Sequence, residues 1–151
     1  MNFASIFSDS FDTFKVLANM DVSKASFKAA HTPKSVWQIL NHLVLWQEFQ
    51  LDKIKGRTPA GMDELDTWKT GPAVHSQQAL QQVIGTFNQQ IEDIKQEIMA
   101  LAAGGENLAQ KLTIIQEMSV HLSFHLGEMV LLMRQNGHYP WPGEMKDFLA
   151  T

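Results

Sequence analysis

The apolar pattern between Ser76 and Gly104 constrains the fold of this chain more than any other feature. Apart from the adjacent Val83 and Ile84, its apolar side chains are three and four residues apart: Leu80, Val83, Ile84, Phe87, Ile91, Ile94, Ile98 and Leu101. This spacing places them on one face of an α-helix, whereas a half-buried strand would alternate apolar and polar residues. Ser76 can cap the start of the helix, and Gly104-Gly105 can stop it.

Three other segments show helical spacing. They are Phe3–Met20, Pro33–Lys55 and Leu108–Asn136, which we number as the first, second and fourth helices. Thr32 and Asn107 are predicted N-cap residues of the second and fourth helices, and Gly56 and Gly137 follow their ends. We find no strand alternation and no internal repeat. The sequence therefore predicts an all-α fold, a four-helix bundle.

The connection between the second and third helices, residues 57–75, is longer than most bundle loops. Its apolar residues are Met62, Leu65 and Trp68. They indicate that the connection folds back onto the protein or packs on a partner. Trp141 and a short apolar piece at residues 145–149 lie in the C-terminal extension. Together these groups carry more apolar surface than a monomer needs, which predicts a homodimer.

Composition limits what the bundle can do. The 151 residues suit a single domain covering 1–151, and the hydrophobic fraction of 44% and charged fraction of 19% are typical of a globular protein. A net charge of -4 without a basic run argues against nucleic acid and anionic membranes as partners. No apolar run approaches a membrane span, so the cytoplasm is the expected location. The chain has 0 cysteines, so any metal must use nitrogen and oxygen ligands.

A candidate metal site lies in the fourth helix. His121 and His125 stand four residues apart, which places both imidazoles on one helix face. His42 is a third candidate, within the second helix. It lies fourteen residues before Gly56, and the midpoint of the pair lies fourteen before Gly137. Because each residue adds about 1.5 Å, parallel helices with level ends would bring the three histidines to one height.

These residues resemble the DinB/YfiT-like superfamily over nearly the whole chain. The resemblance rests on Ser-Val-Trp-Gln-Ile-Leu-Asn-His-Leu around His42, on His-Leu-Ser-Phe-His-Leu-Gly-Glu from His121, and on the closing Tyr139-Pro-Trp-Pro. It implies a four-helix bundle in which His42, His121 and His125 bind a divalent metal ion. The family includes metal-dependent hydrolases, and transferases that join low-molecular-weight thiols such as mycothiol and bacillithiol to electrophiles.

Other interpretations remain open. Taken singly, each histidine is more often a structural residue, and His31, His75 and His138 are assigned that role. Both the Glu-x-x-His motifs of di-iron bundles and the His-Glu-x-x-His motif of zinc proteases are absent. Glu117 and Glu128 are weak candidates for a general base or for orienting an imidazole, and exposed carboxylates are an equal explanation.

Two functions are therefore weighed. In the first, a metal enzyme activates water or a small thiol for hydrolysis or S-transfer, and the low-molecular-weight thiol is a cosubstrate. In the second, a non-catalytic, stress-related metal-binding protein acts as a dimer. Imidazole ligands favour zinc or nickel, and they also suit iron or copper.

Overall fold

The computed structural model describes residues 11–151, without the side chains of Glu64, Leu65 and Ala102. Its α-helices are α1 (Val22–Ala25), α2 (Val36–Ile54), α3 (Gln77–Ala102), α4 (Leu108–Gln135) and α5 (Met145–Ala150). Short 3₁₀ helices cover Glu64–Trp68 and Pro142–Glu144. No strand occurs between residues 11 and 151. The predicted all-α bundle fold is confirmed.

The start of α2 differs from the prediction. Ser35, rather than Thr32, is its N-cap residue. The Ser35 hydroxyl accepts a hydrogen bond from the Gln38 backbone N–H at 3.2 Å, and the Gln38 side chain accepts one from the Ser35 backbone N–H at 3.1 Å. This reciprocal capping box satisfies two N–H groups at once, and therefore outcompetes the Thr32-Pro33 signal. The predicted end is confirmed, with Gly56 at a φ of +73°.

The next two helices begin and end close to their predicted limits. Ser76 caps α3 by accepting from the Ala79 backbone N–H at 3.1 Å. Asn107 stands at the N-cap position of α4 in a left-handed conformation, with no cap hydrogen bond from its side chain. The predicted capping by the Asn107 side chain is therefore wrong. Gly137 follows α4 at a φ of +66°, a conformation that glycine adopts without strain.

The first predicted helix, Phe3–Met20, is wrong in its second half. Residues 11–20 form turns, with Phe14, Lys15 and Asn19 all at positive φ. Left-handed backbone at three positions cannot continue an α-helix. Phe11, Val16 and Leu17 are still buried, whereas Phe14 is 49% exposed. The helical spacing thus identified most of the buried residues but not their backbone. The part of the prediction before residue 11 lies outside the described residues.

Helix α2 packs against both α3 and α4. The core between them is filled by fully buried apolar side chains, including Leu40, Leu43, Phe87, Ile94, Ile115 and Leu122. Each such side chain contributes about 1.5–3 kcal/mol relative to exposure. The structure therefore stabilises α2 and α4 side by side, and these are the two helices that carry the candidate histidines.

The 57–75 connection folds back onto α2, as one of the two expected alternatives. Its 3₁₀ helix packs on α2, and Thr67 is buried. At the end of the connection, Val74 is buried, and its backbone N–H donates to the Ser26 hydroxyl at 3.1 Å. These contacts hold both the 3₁₀ helix and the end of the connection in place. The connection can therefore supply groups to a site on α2.

The C-terminal extension is held against residues 11–20. The Tyr139 hydroxyl donates to the Phe14 carbonyl oxygen at 2.7 Å, and Tyr139 is buried. Trp141, two residues later, is exposed. Among residues 11–151, none of the helices combines the length and apolar character that a membrane crossing requires.

Candidate metal centre

The bundle brings the three predicted histidines together. His42 projects from the middle of α2, and His121 and His125 project from consecutive turns of α4. His42 and His125 are only 2% and 6% exposed, and His121 is half-buried. A buried imidazole must find partners for its ring nitrogens, because water cannot supply them.

The ring nitrogens converge on one point. One ligand nitrogen from each histidine lies within 4.8 Å of the others, close enough to hold one metal ion. The Nε2 atoms of His42 and His121 are 3.1 Å apart. Two nitrogens bound tetrahedrally to one zinc ion at about 2.0–2.1 Å would be about 3.3 Å apart, so the observed distance fits a shared ion. The rings meet edge to face, at interplanar angles of 61°, 72° and 86°.

Two of the imidazoles are oriented through their other nitrogen. Nδ1 of His42 lies 2.7 Å from the Thr67 hydroxyl, and Nδ1 of His125 lies 2.6 Å from the Glu128 carboxylate. A carboxylate can only accept, so His125 carries its proton on Nδ1. Its Nε2 lone pair is then free to face the cluster. Such outer partners fix the tautomer and the ring orientation of metal-binding histidines.

Aromatic rings enclose the cluster. The Trp68 ring stacks on His42, with centroids 3.8 Å apart and planes 10° apart. Trp46 meets the His121 ring at 5.6 Å, and Phe124 meets the His125 ring at 5.0 Å. These ring contacts restrict the rotation of the imidazoles. Lys34 Nζ lies 5.0 Å from the Trp68 ring centroid, a cation–π contact on that ring.

The electrostatics favour neutral imidazoles. Burial, with the neighbouring charges of His125, His121 and Lys34, lowers the pKa of His42 from 6.5 to about 3. Burial and the His125 charge lower the pKa of His121 to about 4. Both rings therefore carry a free lone pair at neutral pH, which is the form that binds metal ions. A cluster of imidazole donors suits zinc, nickel, copper or iron better than magnesium or calcium, which prefer oxygen ligands.

The two candidate carboxylates occupy different positions. The Glu128 carboxylate accepts a hydrogen bond from Nδ1 of His125, and this contact fits a role in orienting the ring. Glu117 lies one turn before His121 and, with His121, lines two clefts. One cleft has a volume of about 150 Å³ and lies between α2 and α4. The other, of about 500 Å³, is lined in part by Val120 and Phe124 on the surface of α4.

Sequence reasoning left open whether the 57–75 connection, with Trp68, folds back onto the protein or packs on a partner. It did not identify the contacts that Thr67 and Trp68 make with His42. A Thr-Trp pair in a long loop carries no signal of its own, and only the folded connection shows that it reaches His42. The remaining histidines stay apart from the cluster: His31 and His75 are exposed, and His138 lies beyond the end of α4.

Comparison with known proteins identifies a family for this chain. The family model described as the DinB family matches residues 3–150, nearly the whole chain. No curated protein and no solved structure matches the chain.

Proposed function

The chain belongs to the DinB family, and we propose that His42, His121 and His125 bind one divalent metal ion in an enzyme that activates water or a low-molecular-weight thiol. The convergence of three ligand nitrogens within 4.8 Å carries the proposal. Zinc and nickel are the preferred ions, with iron and copper as further alternatives for imidazole ligands.

The ligand set supports chemistry at the site. Three neutral imidazoles leave the charge of the ion uncompensated and a coordination position available, and a bound ion then supplies Lewis acidity to water or a thiol. Thr67 and Glu128 hold the His42 and His125 rings in the orientation that directs Nε2 inward. Trp68 covers the His42 ring, and this limits the approach of water to the side that the clefts leave open.

Access to His121 favours an enzyme over a purely structural ion. Both clefts that Glu117 lines also reach His121, the most exposed of the three histidines. From this position the Glu117 carboxylate can take a proton from a water or thiol that enters a cleft, as a general base. Glu128 is engaged with His125 and is assigned to orientation rather than to proton transfer.

A homodimer is proposed as well, on a surface different from the one inferred at first. Trp68 is half-buried against His42 and is not available for a partner. Helix α4 instead exposes Val120, Phe124 and Leu131 by 65%, 64% and 61%. These side chains lie near one line along the helix, and Val120 and Phe124 line the larger cleft at His121. The non-catalytic alternative, a metal-stabilised dimer, would use the same surface.

Metal analysis followed by an activity assay tests the proposal. Untagged protein is expected to contain about one equivalent of zinc or nickel, and His125→Ala is expected to lose it. The metal-loaded protein is then tested for conjugation of a thiol to a generic electrophile, and for hydrolysis of an activated ester. Wild-type metal content in His125→Ala would contradict the site. A bound metal without either activity would favour the non-catalytic alternative.

A further inference from the structure

The smaller cleft beside His121 contains unpaired polar atoms that no part of the proposed metal chemistry uses. Trp46 Nε1, Gln47 Oε1 and Gln50 Oε1 are shielded from solvent and have no hydrogen-bond partner. All three residues line the cleft of about 150 Å³ that reaches Glu117 and His121. Because they stand at i, i+1 and i+4 of α2, Gln50 lies one turn beyond Trp46 on the same helix face.

Rotating the Gln47 side-chain amide by about 180° does not remove the unpaired contact. Gln90 Nε2 donates to the Val44 carbonyl oxygen at 3.0 Å, so Gln90 must present Oε1 to Gln47. Gln47 Nε2 donates to that oxygen at 3.2 Å. A flipped Gln47 would place two carbonyl oxygens against each other. Gln47 is only 4% exposed, so its Oε1 is held in the cleft wall without a partner by the surrounding bonds.

A buried polar atom without a partner destabilises a protein, and three in one cleft are more than packing explains. The cleft has the volume of about five water molecules at ~30 Å³ each. It can therefore hold a small group, and the three atoms define the chemistry of that group. With the Gln50 amide oxygen turned into the cleft, as in this structure, two carbonyl oxygens need two hydrogen-bond donors, and one indole N–H needs an acceptor.

We infer that this cleft, formed by Trp46, Gln47 and Gln50, binds a primary carboxamide of the substrate. Its NH₂ group supplies two donors for the glutamine oxygens, and its carbonyl oxygen accepts from the Trp46 indole, after small rotations of the Trp46 and Gln50 side chains. An ammonium group would leave the indole unpaired. A carboxylate could accept from the Trp46 indole, but it has no donor to offer the two glutamine oxygens. The inference rests on the proposed function only in placing the rest of the substrate at His121; binding of the amide needs no metal.

Acetamide is the probe for this inference. Nitrogen-15-labelled protein is titrated with acetamide, once with a chelator and once with zinc, and the Trp46 indole N–H is followed by NMR. Its resonance is assigned by its loss in Trp46→Phe. We expect a saturable shift with acetamide in both conditions, and at least about tenfold weaker binding of acetate and of N,N-dimethylacetamide, which lack N–H donors.

Two variants and a matched control complete the test. Gln50→Leu is expected to weaken acetamide binding about tenfold, whereas Gln81→Leu, at an exposed glutamine of α3, should leave it unchanged. Removing an unpaired acceptor should not lower the melting temperature of Gln50→Leu, so lost binding would not reflect unfolding. Trp46→Phe, followed through the Gln50 side-chain amide, is expected to lose affinity by a similar factor.

The outcomes separate this inference from the proposed function. No saturable shift, which would mean that the cleft holds water only, overturns the carboxamide site even if the protein binds zinc. Equal binding of N,N-dimethylacetamide, or unchanged binding by both Gln50→Leu and Trp46→Phe, also overturns it. Acetamide binding by a protein that takes up no metal would support the cleft and reject the metal centre.

Discussion

Thr67→Val tests whether the 57–75 connection shapes the metal centre. The substitution keeps the branched shape and removes the hydroxyl that lies 2.7 Å from His42 Nδ1. Thr67 is only 1% exposed, so water cannot take the place of the hydroxyl. The His42 ring then loses a contact that fixes its rotation and tautomer, although Trp68 still stacks on it.

The size of the effect follows from this burial. Loss of an outer hydrogen bond to a metal-binding histidine lowers metal affinity by about 10–100-fold, or about 1.4–2.7 kcal/mol. The metal-free protein should also lose about 1–3 kcal/mol of stability, because a buried ring nitrogen is left unpaired. For a chain of this size, each kcal/mol lowers the melting temperature by about 2–4 °C.

Zinc affinity is measured by competition with a chromophoric chelator, and melting is followed by circular dichroism with and without zinc. Thr67→Ser retains the hydroxyl and is expected to restore most of the affinity. Thr86→Val is the matched control, because the Thr86 hydroxyl donates to the Gln82 carbonyl oxygen on the exposed side of α3. If Thr67→Val melts lower but binds zinc as the wild type does, Thr67 supports packing only and the reasoning fails.

Three further predictions concern the histidines and the α4 surface. His121→Ala and His125→Ala should each lose most of the bound metal while retaining wild-type helix content by circular dichroism, since the apolar core does not depend on them; full metal content in both would contradict this. In the metal-free protein the lowered pKa of His42 means that the unfolded state binds more protons between pH 6.5 and about 3. The unfolding free energy is therefore complete above pH 6.5 and falls as the pH drops through that window, and denaturant melts of His42→Gln should show a flatter pH dependence. Light scattering should give about twice the 17.0 kDa chain mass, and Phe124→Glu should return it to the monomer value; a wild-type monomer at all concentrations would reject the dimer.

Much of the fold was readable because the apolar spacing of α2, α3 and α4 is regular over many turns. The errors occurred where local hydrogen bonds compete with that spacing. Thr32-Pro33 is a sound start signal, yet the Ser35–Gln38 capping box satisfies more backbone groups. At residues 11–20 the apolar pattern correctly marked the burial of Phe11, Val16 and Leu17. Left-handed conformations at Phe14 and Lys15 replaced the helix and left the Phe14 side chain exposed.

The candidate site likewise has features that local sequence patterns predict and features that they do not. The spacing of His121 and His125 along one helix is a local property. The height argument for His42 assumed that α2 and α4 run in the same direction, and this assumption is wrong. His42 contacts His125, whereas Trp46, one turn later on α2, contacts His121, one turn earlier on α4, so the two helices run in opposite directions. Thr67 and the unpaired oxygen of Gln47 depend on contacts between distant segments. The Gln47 oxygen is unpaired only because Val44 and Gln90 orient the neighbouring amides, and no local pattern encodes such a chain of bonds.

Helix α3 contributes buried side chains to the core but, within residues 11–151, makes no hydrogen bond or ring contact with an imidazole of the cluster. Its outward face can therefore accumulate substitutions without a direct effect on metal binding, provided that Phe87, Ile94 and their buried neighbours stay apolar. Substitutions in the 57–75 connection are more constrained, because Thr67 and Trp68 contact His42. Over evolutionary time, changes in reactivity should therefore arise through this connection and the α2–α4 cleft, while α3 drifts in sequence and preserves the architecture.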